Sequence, residues 1–340
     1  MFKELATLEN LFDAWYKFKK GKANKKDVML FERNLEDNIF QLYGDLNTKK
    51  YVHQPYYIFH IWDPKFRVIS KASVRDRVVH HLLYKYLEKI FQPIFIHHSY
   101  SCQIGKGVYK AVDDLDSTLR KVTKNYTQNI WYLKLDIKKF FASVDHEVLL
   151  KQLRKRVYDP DIVWLLEKIV YSYSTSDHLG KGVPIGNLTS QIFANIYMKE
   201  LDYFVKFNLR EKNYFRYADD FIFLHVDKSY LEKLKNTACK FVEDELHLTI
   251  HPNKIILRKF SQGIDFLGYI LLPHHRVLRT STKKRMFKKI KKKLEEYNNG
   301  LIADFDLKQS TQSYLGMLKH CHGYNLETKL KNEVWIDKYG

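Results

Sequence analysis

Residues 214–226 read YFRYADDFIFLHV, and residues 131–137 read WYLKLDI. In the first stretch two short runs of β-formers, YFRY and FIFLHV, flank Ala218-Asp219-Asp220. Aromatic and branched side chains favour strands and Asp favours turns, so this is a hairpin signal. In the second stretch Leu133, Leu135 and Ile137 share one face of a strand, and Tyr132, Lys134 and Asp136 share the other. Three carboxylates therefore fall at a strand end and a hairpin tip: Asp136, Asp219 and Asp220. Acidic pairs usually mark solvated turns, so each alone says little. As a set they suit another purpose. Two carboxylates about 4 Å apart repel by about 4 kcal/mol at an effective dielectric of roughly 20. Divalent cations turn that cost into a binding site, and Mg2+ favours a few carboxylates together with substrate phosphates. Two such ions, roughly 3.5–4 Å apart, can activate an attacking hydroxyl and stabilise a leaving oxygen.

On either side the pattern is mixed. Residues 1–50 read as two helices separated by Gly21 and Lys22, with Lys on their outer faces. From Asp76 the run DRVVHHLLYKYLEKIF puts Val79, Leu83, Tyr86 and Ile90 at helical spacing until Pro93 stops it. SYSCQIGKG (99–107) reads as a loop, and a short helix follows through Ala111, Leu115 and Leu119. Further helices are expected from about Asp145 through Leu149, Leu153 and Val157, and over SQIFANIYMKELDYFVKF after a loop at 180–186. A helix over 229–245 precedes short strands near 255–257 and 266–271. The tail from Thr280 is basic and helical, with Phe287, Ile290, Leu294 and Tyr297 on one face. This mixture predicts an α+β fold.

The 340 residues carry 58 Lys+Arg against 39 Asp+Glu, a formal charge of +19. Such an excess repels itself on a compact body unless a polyanion offsets it, and phosphate contacts with counterion release make nucleic acid the first candidate. Hydrophobic residues at 45%, with 15% aromatic, exclude a disordered chain. Cys102, Cys239 and Cys321 are odd in number and far apart, which argues against a disulfide framework or a zinc ribbon. The N-terminus has charges scattered through its apolar positions, unlike a signal peptide, and no stretch approaches the roughly 18 apolar residues of a membrane span. The expectation is a soluble, cytoplasmic protein with no membrane partner.

The motifs resemble those of the reverse transcriptases, over nearly the whole length. LDIKKFFASVDH (135–146) is similar to the first palm motif and YADD (217–220) to the second. Between them GVPIGNLTSQIFANIY (182–197) resembles the segment that supports template and incoming nucleotide. RVISKASVRDRVV and SYSCQIGKG resemble fingers motifs, and HPNKIIL and FLGYIL resemble the last palm motif and the primer grip. The resemblance implies a right-hand polymerase with an N-terminal helical extension (1–60), fingers (61–130 with part of 150–180), an antiparallel-sheet palm (131–272) and a helical thumb (273–340). It implies RNA-directed DNA synthesis from dNTPs with two Mg2+ ions, Mn2+ being able to substitute. Asp136 and Asp219 would hold both metals with the Ile137 carbonyl, and Asp220 would be a secondary ligand or electrostatic support. Lys254 would lie near the triphosphate, as a general acid for pyrophosphate or simply as a solvated lysine. Lys65 and Arg67 would clamp the triphosphate, with Arg75 and Arg77 as alternatives there or on the template backbone. Ile185, Gly186 and Gln191 would line the nucleotide site. Tyr217 and Ala218 would lie under the primer end, although Tyr217 suits a core position as well. Phe141, or its neighbour Phe140, would exclude a ribose 2′-hydroxyl. Lys284, Lys288 and Lys292 would track phosphates of an RNA–DNA duplex.

Pro184-Ile185-Gly186 departs from the usual Pro-Gln-Gly, and Ser190-Gln191 replaces the common Ser-Pro. Ile185 offers packing where Gln would offer amide hydrogen bonds, which should relax control of base-pair geometry. IGNLTSQ resembles the branch found in diversity-generating retroelements, whose copying errs mainly at template adenines. That branch implies a template RNA and a small basic helical pentameric accessory protein. The alternatives are a retron-type or antiviral-defence reverse transcriptase, whose Val-Thr-Gly signature does not stand at the corresponding place, and an inactive RNA-binding scaffold.

Overall fold

The computed structural model describes residues 1–63, 65–175 and 179–339, with side chains as far as Trp335. The part of 150–180 assigned to the fingers thus runs through 176–178, which lie outside the described residues. The chain divides into two compact units. The first comprises 1–105, 135–221 and 234–255; the second comprises 106–134, 222–233 and 256–340.

The first 50 residues form four helices, not the two expected: α1 (Phe2–Leu5), α2 (Leu8–Lys19), α3 (Lys26–Arg33) and α4 (Leu35–Asn47). Thr7 starts α2 by accepting the Asn10 amide at 3.2 Å, and Gly21 takes the left-handed φ of +71° in the turn that follows it. Asn34, at φ −123° and ψ 46°, interrupts the periodicity between α3 and α4. That break lets Val28 on one helix and Leu35, Ile39 and Leu42 on the next all be buried.

Strands β1 (Tyr57–Ile61) and β2 (Arg67–Lys71) then pair antiparallel. Helix α5 (Val74–Phe91) is capped by Ser73, which accepts the Asp76 amide at 3.1 Å. It packs against α2, α3 and α10 (Leu188–Tyr203). Between α5 and α10 lie α6 (Val108–Val122), β3 (Trp131–Asp136), α7 (Phe140–Ser143), α8 (His146–Arg154) and α9 (Pro160–Val170). Asp145 and Asp159 cap α8 and α9, and Pro160 occupies the first turn of α9, where its missing N–H costs nothing. Helix α10 is buried on nearly every side and runs on into a π-turn at Phe204–Asn208.

After it come β4 (Tyr214–Tyr217), β5 (Asp220–His225), α11 (Lys228–Asp244) and β6 (Ile256–Lys259). The four-stranded sheet has the order β4-β5-β3-β6. β3 and β6 are antiparallel, with Trp131 opposite Lys259 and Lys134 opposite Ile256.

The second unit closes with an antiparallel sheet of β7 (Ile264–Phe266), β8 (Tyr269–Leu272) and β9 (His275–Leu278). Three mutually packed helices follow: α12 (Thr280–Asn298), α13 (Asp304–Leu318) and α14 (Tyr324–Tyr339). The buried stripe of α12 is Thr282, Met286, Ile290 and Leu294. Met286 takes the place expected of Phe287, because a 3.6-residue period from Ile290 returns to Met286 and leaves Phe287 at the edge. The fold is thus a mixed one of helices and several antiparallel sheets.

Candidate active site

Asp136 ends β3, and the carbonyl of Asp219 accepts the amide of the next residue, Ile137, at 3.2 Å. The strand end and the hairpin turn are therefore joined through backbone. Ala218, in that turn, has φ +55°, a conformation costly to most non-glycine residues and held only where surrounding contacts over-determine it. Those contacts are present. Arg216 is fully buried and forms a bidentate pair with Asp202 of α10 at 2.7 and 2.6 Å. Its Nη1 donates to the Ala218 carbonyl at 3.0 Å, and its Nη2 to Ser99 Oγ at 2.9 Å. Tyr214 Oη donates to Asp202 at 2.9 Å. The hairpin tip thus rests on a satisfied buried ion pair, which fixes the direction of Asp219.

The Asp219 carboxyl is held above the usual carboxylate range by burial first and by the Asp136 carboxylate second, with Lys254 and Arg67 opposing the rise. The two acidic groups therefore lie close enough to repel. Lys254 Nζ lies 2.6 Å from Asp136 Oδ1. It is delivered by a 3-10 turn, Pro252–Lys254, pinned where the His251 amide donates to the Asp136 carbonyl at 2.8 Å. Asp220 begins β5 and is half-buried. Among the described residues no group of three or more His, Cys, Asp or Glu converges to hold a metal alone. Two neighbouring, mutually repelling carboxylates fit Mg2+ nonetheless, since that ion is held by one or two carboxylates with water and substrate phosphates.

The loop before α10 is stitched to the end of β2. The Ser70 amide donates to the Ile185 carbonyl at 3.1 Å. Asn187 accepts the Ala72 amide at 3.1 Å and donates to the Ser70 carbonyl at 2.7 Å. Gly186 has φ +114°, and a Cβ there would meet Ile69 Cγ2 at 2.8 Å, so the close approach requires glycine. Ile185 is half-buried beside it, and Gln191 is exposed in the first turn of α10. The Val183 amide donates to the Phe141 carbonyl at 2.7 Å. Phe140 is buried at 2% exposure, whereas Phe141 is half-buried and edge-on to it, with centroids 5.4 Å apart. Tyr217 is half-buried.

Lys65 and Arg67 are exposed at the start of β2. Arg75 and Arg77 are engaged inside the fold. Arg75 pairs with Asp45 at 2.7 Å and lies over the Tyr51 ring; Arg77 pairs with Asp27 and lies over Phe18. Lys284, Lys288 and Lys292 lie exposed along α12 in the second unit.

Residues Arg216 and Asp202 escaped the motif reading. Their signal was an Arg inside an aromatic strand and an Asp inside an otherwise apolar helical run, since a buried charge demands a partner.

Residues 62–271 match the family described as reverse transcriptase (RNA-dependent DNA polymerase), and the chain belongs to that family. Protein YkfC of Escherichia coli is 24% identical over 244 residues, 61% of this chain and 64% of that protein. The group II intron-encoded protein LtrA of Lactococcus lactis is 23% identical over 332 residues, 76% of this chain and 53% of that protein. An uncharacterized 91 kDa protein in a cob intron of Schizosaccharomyces pombe is 29% identical over 150 residues, 43% of this chain and 18% of that protein. The chain therefore spans less than two thirds of each. Among solved structures, apo telomerase from Candida tropicalis has a TM-score of 0.53 at 14% identity, over 85% of this chain and 63% of that one, a likeness of fold. No helix among the described residues is long and apolar enough to cross a membrane.

Proposed function

We propose that this chain is an RNA-directed DNA polymerase of relaxed fidelity, arranged as fingers, palm and thumb within the boundaries given above. The observation that carries the polymerase reading is the pairing of Asp136 at a strand end with Asp219 on a braced hairpin turn. Two divalent cations, held by these carboxylates and the Ile137 carbonyl, would supply Lewis-acid activation of the attacking hydroxyl and charge neutralisation at the leaving pyrophosphate. The chain's own groups do the rest. Lys254 places a proton donor beside Asp136, and Lys65 and Arg67 bring positive charge from the β1–β2 hairpin toward a triphosphate. The half-buried Phe141 presents a ring where a ribose 2′-hydroxyl would have to fit, which favours deoxyribonucleotides.

The branch reading rests on Ile185. Its main chain is tied to β2, so its side chain sits at a defined place in the loop and offers no hydrogen bond to a base edge. That supports error-prone copying, in the manner of a diversity-generating retroelement with a template RNA and a basic helical partner. Primer extension on an RNA template with dNTPs and Mg2+, with the products sequenced, tests both levels. Errors concentrated at template adenines are expected. Faithful cDNA would move the protein to the retron or defence branch. No product, even with such a partner and the cognate RNA supplied, would leave an RNA-binding scaffold.

A further inference from the structure

The second unit holds a polar cavity of about 250 Å3 that the polymerase reading does not use. Strand β8 runs between two turns, Leu267-Gly268 toward β7 and Pro273-His274 toward β9, which lie at its opposite ends. The cavity is at the Pro273-His274 end, closed by the α13–α14 turn that carries Lys319, His320 and His322. That turn is strapped to β9. The His322 amide donates to the Arg276 carbonyl at 2.8 Å, and the Arg276 amide lies 3.2 Å from His322 Nδ1. The same Nδ1 lies 3.3 Å from the Arg276 carbonyl.

The lining is rich in donors. Arg276 Nε is buried and has no hydrogen-bond partner among the described residues, while Nη1 is held by Asp113 at 2.7 Å. Lys319 is exposed at the rim. Two acids are present: Asp113 pairs with Arg276 and lies 3.9 Å from His320 Nδ1, and Asp116, which lines the cavity, has its carboxyl pushed up by burial. The groups an anion oxygen in the cavity could meet are the Lys319 ammonium and the ring nitrogens of His320 and His322 that line it. The imidazoles do not form a metal site among the described residues. They are instead interleaved with phenol rings: His320 stacks on Tyr109, with centroids 3.8 Å apart and planes 7° apart, and His274 lies 4.5 Å from Tyr126. Donors that match phosphate beside flat rings that match bases are the two elements of single-stranded nucleic-acid sites.

We infer that this cavity holds a backbone phosphate of single-stranded RNA, with an adjacent base against the Tyr109–His320 stack, separately from any primed duplex. The inference rests on the reading of the chain as an RNA-handling protein. It is tested with the full chain, by anisotropy of a short labelled single-stranded RNA across a salt series. Lys319→Ala, a surface change, should lower the log–log salt slope by about 0.7, the value for one phosphate contact on a single strand. Lys319→Ala with His320→Ala should weaken binding several-fold, while extension of a short primed template stays at the wild-type rate. Slopes and affinities equal to wild type, with extension intact, would overturn the site and leave the polymerase reading standing. Lost slope in the variants of a chain that extends no primer would do the reverse. Histidine proton–carbon spectra distinguish the phosphate's source: His320 and His322 signals that follow added inorganic phosphate but ignore RNA would also overturn the inference.

Discussion

At the residue scale, the chemistry is concentrated in side chains whose type could be read before any fold was known. Asp136, Asp219 and Asp220 stood out as acids where a strand and a hairpin end, and the structure adds that burial and the Asp136 carboxylate push the Asp219 carboxyl up. Asp219→Asn should abolish nucleotide incorporation while RNA affinity, measured by filter binding, stays near the wild-type value; retained incorporation would refute the metal-ligand role. Phe140 and Phe141 were indistinguishable in sequence because they are adjacent and chemically identical. Burial separates them: Phe140 belongs to the core. Phe141→Ala should let ribonucleotides be incorporated, and an unchanged ratio of rNTP to dNTP use would remove it as the sugar filter. Ile185→Gln should lower misincorporation opposite adenine in sequenced products, and an unaltered error spectrum would detach fidelity from this position. Arg75 and Arg77, which the resemblance offered as alternatives for the triphosphate or the template backbone, pair in the fold with Asp45 and Asp27.

At the scale of elements, the hairpin turn depends on what lies beneath it. The Arg216–Asp202 pair is wholly buried, and removing one partner of such a pair typically costs about 3–5 kcal/mol because the other charge is left without compensation. Arg216→Met should therefore lower the urea midpoint of unfolding. Arg216→Lys keeps the charge but cannot reach Asp202 and the Ala218 carbonyl together, so kcat should fall while KM for dNTP and RNA affinity hold. A parallel loss in all three would mean that Arg216 serves stability alone. Sequence reading could place β4, β5 and α10 but not this pairing, because residues 202 and 216 meet only once the helix packs under the hairpin. The N-terminal helices fail for a related reason. Asn34 breaks a run whose apolar spacing continues across it, so periodicity alone merged α3 with α4.

For the whole molecule, charge and buried histidines set the response to conditions. His80 is held well below its usual range by burial, and His81 is pushed down to about 4, also chiefly by burial. The unfolded chain binds these protons near the ordinary value of about 6.5. Between about pH 6.5 and 4 the unfolded state thus holds more protons than the folded one, and stability falls as pH falls through that window. Urea midpoints should decline from pH 7.5 to pH 5, and the decline should shrink in His81→Phe; a flat profile would contradict the burial-driven shifts.

The sequence by itself determined the mixed fold class, the family and the carboxylates, because strand alternation, turn chemistry and ordered motifs are properties of neighbours along the chain. Only the tertiary structure decided that Phe140 is buried and Phe141 half-buried, that Arg216 braces the hairpin turn, that Arg75 and Arg77 are tied to the N-terminal helices, and that His320, His322 and Arg276 line one cavity. Burial and charge pairing depend on residues far apart in sequence, and no local pattern encodes which of them will meet.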